Sequence, residues 1–202
     1  MEFLISNPAF RRACEFELSF RKWRRAARFL PVALLLLLGL QSSPAQVVSH
    51  EYELKAVFLY NSARFAEWPA SAFPDASSPF VIGVLGRSPF GGALESAVEH
   101  ETYQGRKFQI KYFQKVEEVS GCHILFISQS EDRHLERILD ALKHQSVLTV
   151  SDIDKAADRG ACVRFFTENN KIRLQINLDA LKKAGLTMSS QLLNLAQITP
   201  AP

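Results

Sequence analysis

The residues best suited to binding chemistry lie in one short stretch and on one strand. Residues 64–69 read Arg-Phe-Ala-Glu-Trp-Pro, so an arginine and a glutamate stand beside two aromatic side chains. Arginine and aromatic side chains together are typical of ligand pockets and of the positions that dominate protein interfaces. We therefore predict a ligand- or partner-binding face that comprises Arg64, Phe65, Glu67 and Trp68, joined by Arg173 and Asn177 from the polar side of a later strand. Packing of the two aromatic residues between a helix and the sheet remains the alternative.

Patterns for catalysis, phosphate binding or metal binding are weak. Glycines at 83, 86, 91 and 92 follow an apolar strand, but no Lys-Ser/Thr pair follows as in a P-loop, so a structural turn is favoured over an anion site at Arg87 and Ser88. Ser88 has no Gly-x-Ser-x-Gly elbow, which leaves a hydrolase that uses Ser88 and a distant histidine as the weakest hypothesis. His123 opens an apolar strand, a position typical of a core histidine. The sequence predicts no enzyme, no cofactor and no metal site, and metal-ligand spacing is absent from His100, His134 and His144.

The first 45 residues have the layout of a secretory signal. A basic cluster at 21–28 precedes an apolar run of twelve residues at 29–40, and Gln-Ser-Ser-Pro-Ala follows. The run is shorter than the about 20 residues that span a bilayer, although an uncleaved anchor is the alternative. Ser43 and Ala45 supply the small residues needed for a cut before Gln46. We predict a cleaved signal peptide at residues 1–45 and an exported domain at residues 46–202.

The distribution of charge argues against a nucleic-acid partner. The chain has 24 basic and 21 acidic residues, and seven of the basic and three of the acidic ones lie in residues 1–45. The exported part therefore keeps 17 basic and 18 acidic residues, a net charge of −1. Proteins that bind nucleic acid carry a basic excess to neutralise phosphates, and the exported part has none.

Hydrophobic periodicity predicts alternating helices and strands. Helices are predicted at 51–68, at 93–100, at 131–145 with Ser130 as N-cap, from Asn177 or Asp179 to Gly185, and from Ser189 onward. Strands are predicted at 80–86, 107–114, 123–128 and 146–150, and residues 162–167 and 171–178 form a hairpin around Asn169 and Asn170. This order predicts a single layered α/β domain. It has a mostly parallel sheet with helices on both faces and a C-terminal antiparallel hairpin.

Four stretches, in this order, resemble the YfiR family of periplasmic proteins. They are residues 53–60 with Phe65, Trp68 and Pro69; residues 82–86 with 89–91; residues 121–128; and residues 173–177 continuing through 184–193. Together they cover nearly the whole exported chain, and the ordered set is more specific than any one motif. The exported part is thus identified as a YfiR-like α/β domain.

The resemblance implies a periplasmic regulatory protein without catalytic activity. Its partner would be an inner-membrane diguanylate cyclase with a periplasmic sensor domain, which it restrains, so that cyclic di-GMP and biofilm formation fall. An outer-membrane lipoprotein of the YfiB type and a homodimer are further implied partners. Ser189 and Ser190, in the last matching stretch, join the predicted binding residues. The alternative function is a periplasmic small-molecule-binding protein that serves a transporter or a sensor.

Two cysteines, Cys122 and Cys162, remain in the exported part. An oxidising compartment permits one disulfide between them, and two separate buried thiols are the alternative. The best-known member of the family has two disulfides, and Cys122 stands where one half-cystine would fall. The matching place near Ile82 has no cysteine, and the hairpin holds no partner for Cys162. Both alternatives therefore remain open at the level of the sequence.

Overall fold

Residues 50–199 are described by the computed structural model of the protein. The predicted signal peptide and its cleavage site lie outside this range. Five α-helices are found within it: α1 (His50–Phe65), α2 (Ala93–Val98), α3 (Leu135–Ala141), α4 (Leu178–Lys183) and α5 (Ser190–Leu193). Three 3₁₀ turns lie at Ala70–Ala72, Val116–Glu118 and Gln129–His134.

The strands form one large and one small sheet. They are β1 (Ala66–Glu67), β2 (Phe80–Leu85), β3 (Thr102–Tyr103), β4 (Arg106–Phe113), β5 (Ile124–Ile127), β6 (Leu148–Ser151), β7 (Val163–Glu168), β8 (Lys171–Ile176), β9 (Thr187–Met188) and β10 (Gln197–Ile198). The large sheet has the order β10-β8-β7-β6-β5-β2-β4-β3, and its pairs are parallel except for β7–β8 and β3–β4. The small sheet is the antiparallel pair β1–β9. The predicted mostly parallel α/β fold is confirmed.

The large sheet separates two hydrophobic clusters. Alternate residues of β2 point to opposite faces, since Phe80, Ile82 and Val84 belong to one cluster and Val81 and Leu85 to the other. The first cluster is covered by α1, α2, α4 and α5, and the second by α3. Helices therefore lie on both faces, as predicted. Each large apolar side chain buried in this way contributes about 1.5–3 kcal/mol.

The first helix ends three residues earlier than predicted. It was expected to continue to Trp68, but Ala66 and Glu67 leave it and pair with β9. The backbone N–H of Ser189 also donates to the Phe65 carbonyl at 2.7 Å. The long-range pairing with β9 thus supplies partners for the backbone that further helix would otherwise have used. Pro69 then leads the chain toward β2.

The helix predicted at 131–145 is shorter, and its predicted N-cap is wrong. Residues 129–134 form a 3₁₀ turn, and only Leu135–Ala141 is α-helical. Ser128, not Ser130, is the N-cap of the 3₁₀ turn, and its side chain accepts from the Ser130 N–H at 3.5 Å. Ser130 instead accepts a hydrogen bond from the Arg87 N–H at 3.0 Å. A contact with a neighbouring loop therefore overrides the local capping preference.

The C-terminal hairpin and the helix after it agree with the sequence pattern. Asn169 and Asn170 have φ values of 49° and 60°, the left-handed geometry of a tight hairpin turn. Asn177 is the N-cap of α4, and its side chain accepts from the Ala180 N–H at 2.9 Å. Gly185 has a φ of 68° just after α4, as a C-terminal glycine cap requires. The hairpin is not the edge of the sheet, because β10 pairs outside β8.

Candidate functional site

Trp68 lies where the small sheet meets the large one. Its side chain is 9% exposed, and its indole N–H donates to the His123 carbonyl at 3.2 Å. The ring meets Phe80 edge-on with centroids 5.0 Å apart, and Tyr103 at 6.0 Å. Edge-to-face contacts of this kind add to the stabilisation that burial provides. Trp68 is therefore part of the core.

An open groove of about 600 Å³ lies beside Trp68. We call five of its lining side chains the Trp68 face: Glu67, Trp68, Phe73, Tyr103 and Arg106. The Arg106 guanidinium lies 4.3 Å from the centre of the Phe73 ring and donates to the carbonyls of Asp75 and Ser78, both at 2.8 Å. These bonds hold Arg106 in place beside the aromatic rings. The groove thus combines aromatic surface with a fixed cation and the exposed carboxylate of Glu67.

His123 lies in the aromatic cluster behind this face. Its side chain is stacked between Phe73 and Phe80, with centroids 4.5 and 4.7 Å away. The Val81 N–H donates to Nδ1 at 3.0 Å, while Nε2 is buried without a hydrogen-bond partner of standard geometry among residues 50–199. Burial lowers the pKa of His123 below its usual value and Arg106 acts in the same direction, although the backbones of Ala72 and Val81 oppose them. The predicted core histidine is therefore neutral, but its ring is only half satisfied.

Three other predicted residues, Phe65, Glu67 and Ser189, come together around the small sheet. The Glu67 carboxylate accepts from the Thr187 hydroxyl at 3.0 Å at the edge of the groove. Phe65 is half-buried against the core, and its carbonyl receives the Ser189 N–H. The Ser189 hydroxyl is buried without a hydrogen-bond partner in the described range, and Ser190 is exposed at the start of α5. Sequence-distant parts of the predicted face are thus neighbours here.

The remaining predicted residues have other surroundings. Arg64 forms an ion pair with Glu101 at 2.6 Å. Arg173 is exposed on β8 and lies 3.6 Å from Glu168 in the same hairpin, while Asn177 caps α4. Strands β7, β6 and β5 lie between β8 and β2, and neighbouring strands are about 4.8 Å apart. The structure therefore does not bring Arg173 and Asn177 to the Trp68 face.

Sequence analysis missed Phe73, Tyr103 and Arg106. They lie outside the helix-end motif at residues 64–69, and the core position predicted for His123 did not link it to that motif. Only the antiparallel pairing of β3 with β4 sets Tyr103 opposite Arg106. A local signal was present in the Gln104-Gly105 pair, since both residues adopt positive φ in the turn between these strands.

The loops at the carboxyl ends of β2 and β5 fill the crevice where open α/β sheets commonly bind ligands. The Ser128 hydroxyl donates to the Arg87 carbonyl at 2.6 Å. Gly86 has a φ of 86°, and a Cβ at this position would lie 2.7 Å from Glu131 Oε1. These contacts leave no phosphate cradle between the two loops, so the favoured structural turn is what forms. The Ser88 hydroxyl accepts from the Phe90 N–H at 3.3 Å, and no histidine of residues 50–199 hydrogen-bonds to it, which argues against the hydrolase hypothesis.

Cys122 and Cys162 are free, buried thiols. Cys122 belongs to the cluster on the α3 face of the sheet, and Cys162 to the cluster on the opposite face. Of the two alternatives for these residues, the disulfide is wrong, because the sheet separates them. Burial raises the pKa of the Cys122 thiol to about 12, which makes it a poor nucleophile. Within the described residues, no group of three or more His, Cys, Asp or Glu side chains is placed to hold a metal ion.

A family model described as YfiR/HmsC-like matches residues 52–197. The chain belongs to the YfiR/HmsC-like family. This membership points to a periplasmic regulator of diguanylate cyclase signalling, and the family is a regulatory one. None of the helices in the part of the chain that is described has the length and apolar character needed to cross a bilayer.

The chain is also similar to one solved structure, a conserved domain protein from Vibrio cholerae O1 biovar El Tor str. N16961. The TM-score is 0.47 at 14% sequence identity, over 74% of this chain and 60% of that chain. This YfiR/HmsC-like chain therefore spans about 60% of the length of the solved chain.

Proposed function

We propose that the protein is a non-catalytic periplasmic regulator that binds the periplasmic part of an inner-membrane diguanylate cyclase and restrains it. The observation that carries this proposal is the family match over residues 52–197. Restraint of the cyclase lowers cyclic di-GMP and biofilm formation. Release of the cyclase by an outer-membrane lipoprotein of the YfiB type, and assembly of the regulator as a homodimer, belong to the same proposal. So do export and cleavage before Gln46.

The Trp68 face is the surface that best fits this partner. Tryptophan, tyrosine and arginine are enriched among the residues that dominate protein interfaces, and this face presents all three beside an open groove. Glu67 is the exposed member, so it adds charge to the rim without belonging to the core. Charges on an interface rim steer association and discriminate between partners. Glu67 is therefore the position at which partner binding can be changed without disturbing the fold.

Gene deletion and complementation test the proposed function. Deletion should raise cyclic di-GMP and biofilm mass, and the wild-type gene should restore both. Glu67→Arg should fail to restore them, because it reverses the charge at the rim of the groove. The matched control is Glu99→Arg, an exposed glutamate outside the Trp68 face, which should complement fully. Unchanged cyclic di-GMP after deletion, under conditions where the gene is expressed, would contradict the proposal.

A second function is favoured by the groove itself. Small-molecule sites are concave and mostly aromatic or apolar, with a few fixed polar groups, and the groove beside Trp68 has both features. Capture of the tagged protein from solubilised membranes separates the two functions. Recovery of a diguanylate cyclase with a periplasmic sensor domain supports restraint by binding. Recovery of a transporter or receptor instead supports a small-molecule-binding protein.

A further inference from the structure

We propose that protonation of His123 is an acid-sensitive switch, which loosens residues 69–79 from the sheet and reshapes the Trp68 face. The proposal concerns the regulation of the surface assigned above to partner binding, and in that respect it rests on the proposed function. The periplasm is the compartment in which such a switch would act, because small solutes and protons enter it from outside the cell.

His123 connects the three parts of the protein that build the face. Its ring contacts Phe73, which follows the 3₁₀ turn, and Phe80 of β2. Its Nδ1 accepts the N–H of Val81, next to Phe80, and its carbonyl accepts the indole N–H of Trp68. With a side chain that is 2% exposed, it has no route to water that leaves these contacts intact. A change in its charge therefore acts on all three parts at once.

Protonation is incompatible with the bond that orients the ring. Nδ1 accepts the Val81 N–H only while it carries no proton, so the neutral ring holds its proton on Nε2. A second proton, on Nδ1, would place two N–H donors against each other and remove this hydrogen bond. The phenyl faces of Phe73 and Phe80 would attract the imidazolium, which offsets part of the cost. Loss of the Val81 bond and of hydration remains, and it is relieved when the ring leaves its place.

The titratable and charged groups around His123 do not compensate for a positive charge. Arg106 of β4 is cationic and lowers the pKa of His123, and Tyr103 of β3 is neutral because burial raises the pKa of its phenol. The carboxylates are those of Glu67 in β1 and Asp75 in the 69–79 segment. The first bonds to Thr187, and the second bonds to Ser77 within its own loop. Neither carboxylate makes a hydrogen bond to the imidazole.

The 69–79 segment is the part able to yield. Apart from its own 3₁₀ turn and the Asp75 loop, its backbone is held by Arg106, which donates to the carbonyls of Asp75 and Ser78. Both bonds lie at the surface or near it. Phe73, the aromatic residue of the segment that stacks on His123, is half-buried. Segments with few buried contacts and few backbone hydrogen bonds open locally before the rest of a domain unfolds.

The direction of the pH dependence follows from the lowered pKa of His123. The unfolded or opened ring titrates near its ordinary value of about 6.5, so it binds a proton more readily than the packed ring. The closed arrangement is fully stable above about pH 6.5 and loses stability as the pH falls toward the lower pKa of the packed ring. Acid therefore favours the open segment.

Tryptophan fluorescence gives a direct readout. The chain contains two tryptophans, Trp23 and Trp68, and cleavage of the signal peptide leaves Trp68 alone. We expect protein purified from the periplasmic fraction, with cleavage verified by its mass, to show a change in fluorescence on acidification. The midpoint should lie below about pH 6.5, while the far-ultraviolet circular dichroism of the domain persists.

Two variants separate His123 from other groups. His123→Asn keeps an acceptor near the position of Nδ1 and has no charge to gain, so the transition should be lost. His134→Gln, at an exposed histidine in the 3₁₀ turn before α3, should retain it. If His123→Asn does not fold, the ring-proton chemical shifts of the five wild-type histidines still report which one titrates with this midpoint.

The proposal is overturned by flat fluorescence down to about pH 4.5 or by a transition that persists in His123→Asn. It is also overturned if circular dichroism and fluorescence are lost together, because that is global unfolding. These measurements need no partner. Failure to capture a cyclase at neutral pH would contradict the proposed function and leave the titration of His123 standing.

Discussion

At the scale of single residues, Trp68 contributes to the core and to the rim of the groove at the same time. Its indole bonds to the His123 carbonyl and meets the rings of Phe80 and Tyr103, while another part of the side chain lines the groove. A substitution of Trp68 would change stability and binding together. Exposed Glu67 is the cleaner probe of binding, which is why the complementation test uses it.

Asn177 illustrates a predicted binding residue for which the structure shows a different role. Asn177→Ala should lower the free energy of unfolding by about 1 kcal/mol through loss of the cap on α4. Loss of its bond to the Ala157 carbonyl, now 2.7 Å long, should lower it by about 1 kcal/mol more. Asn177→Asp keeps the capping oxygen and loses only the donor, so its effect should be smaller. Urea denaturation of both variants gives these differences.

Binding measurements complete that test. Capture of membrane partners should be equal for wild type and Asn177→Asp. Reduced capture by a variant of unchanged stability would return Asn177 to the binding surface.

At the scale of elements, α1 is anchored to the sheet by a buried ion pair. Lys55 of α1 and Asp152, the residue after β6, lie 2.7 Å apart with side chains 4% and 3% exposed. The Tyr52 hydroxyl donates to the same carboxylate oxygen at 2.8 Å, and Lys55 also pairs with Glu51. Buried charges are costly unless they are paired, so this cluster fixes the position of α1 more than it adds to net stability.

Removing one member of this pair should cost more than removing both. Lys55→Met leaves the Asp152 carboxylate buried beside one hydroxyl, and we expect the free energy of unfolding to fall by about 3–5 kcal/mol. The double variant Lys55→Met with Asp152→Leu should lose less than either single variant, because no uncompensated charge remains. A double-mutant cycle by chemical denaturation measures the coupling. Strictly additive losses would contradict this account.

At the scale of the whole molecule, the sheet is a barrier between two hydrophobic clusters. Gly83 of β2 shows how closely the α3 face is packed, since a Cβ there would lie 2.8 Å from Cys122 Sγ and from Phe113 Cε2. Cys162 lies in the other cluster, with its backbone N–H bonded to the Thr149 hydroxyl at 3.0 Å. The two thiols therefore have separate packing roles.

Thiol reactivity tests this arrangement. We expect the native exported protein to react slowly with a thiol reagent at neutral pH, because both sulfurs are buried and burial raises the pKa of both. After denaturation in guanidinium without reductant, two thiols per chain should react. A reductant should leave the melting temperature unchanged. Two thiols that appear only after reduction would show a disulfide and contradict the arrangement.

Prediction from sequence succeeded where the pattern is local. The buried strands β2 and β5 are continuous apolar runs, and the hairpin turn at Asn169 and Asn170 has its own backbone chemistry. It failed at the end of α1 and the start of α3, where β9 and Arg87 compete for backbone and side-chain partners. The same limit applies to the binding face, of which only the segment around Trp68 was visible.

The sequence by itself determined the α/β layering, the hairpin, and the membership of the YfiR/HmsC-like family. These depend on hydrophobic period, turn residues and ordered motifs, which are properties of neighbouring positions. Only the tertiary structure decided that His123 packs between Phe73 and Phe80 behind Trp68, and that Cys122 and Cys162 lie on opposite faces. The order and register of strands determine those contacts, because the pairing of β2 with β4 and β5 brings together residues that are 40 or more positions apart.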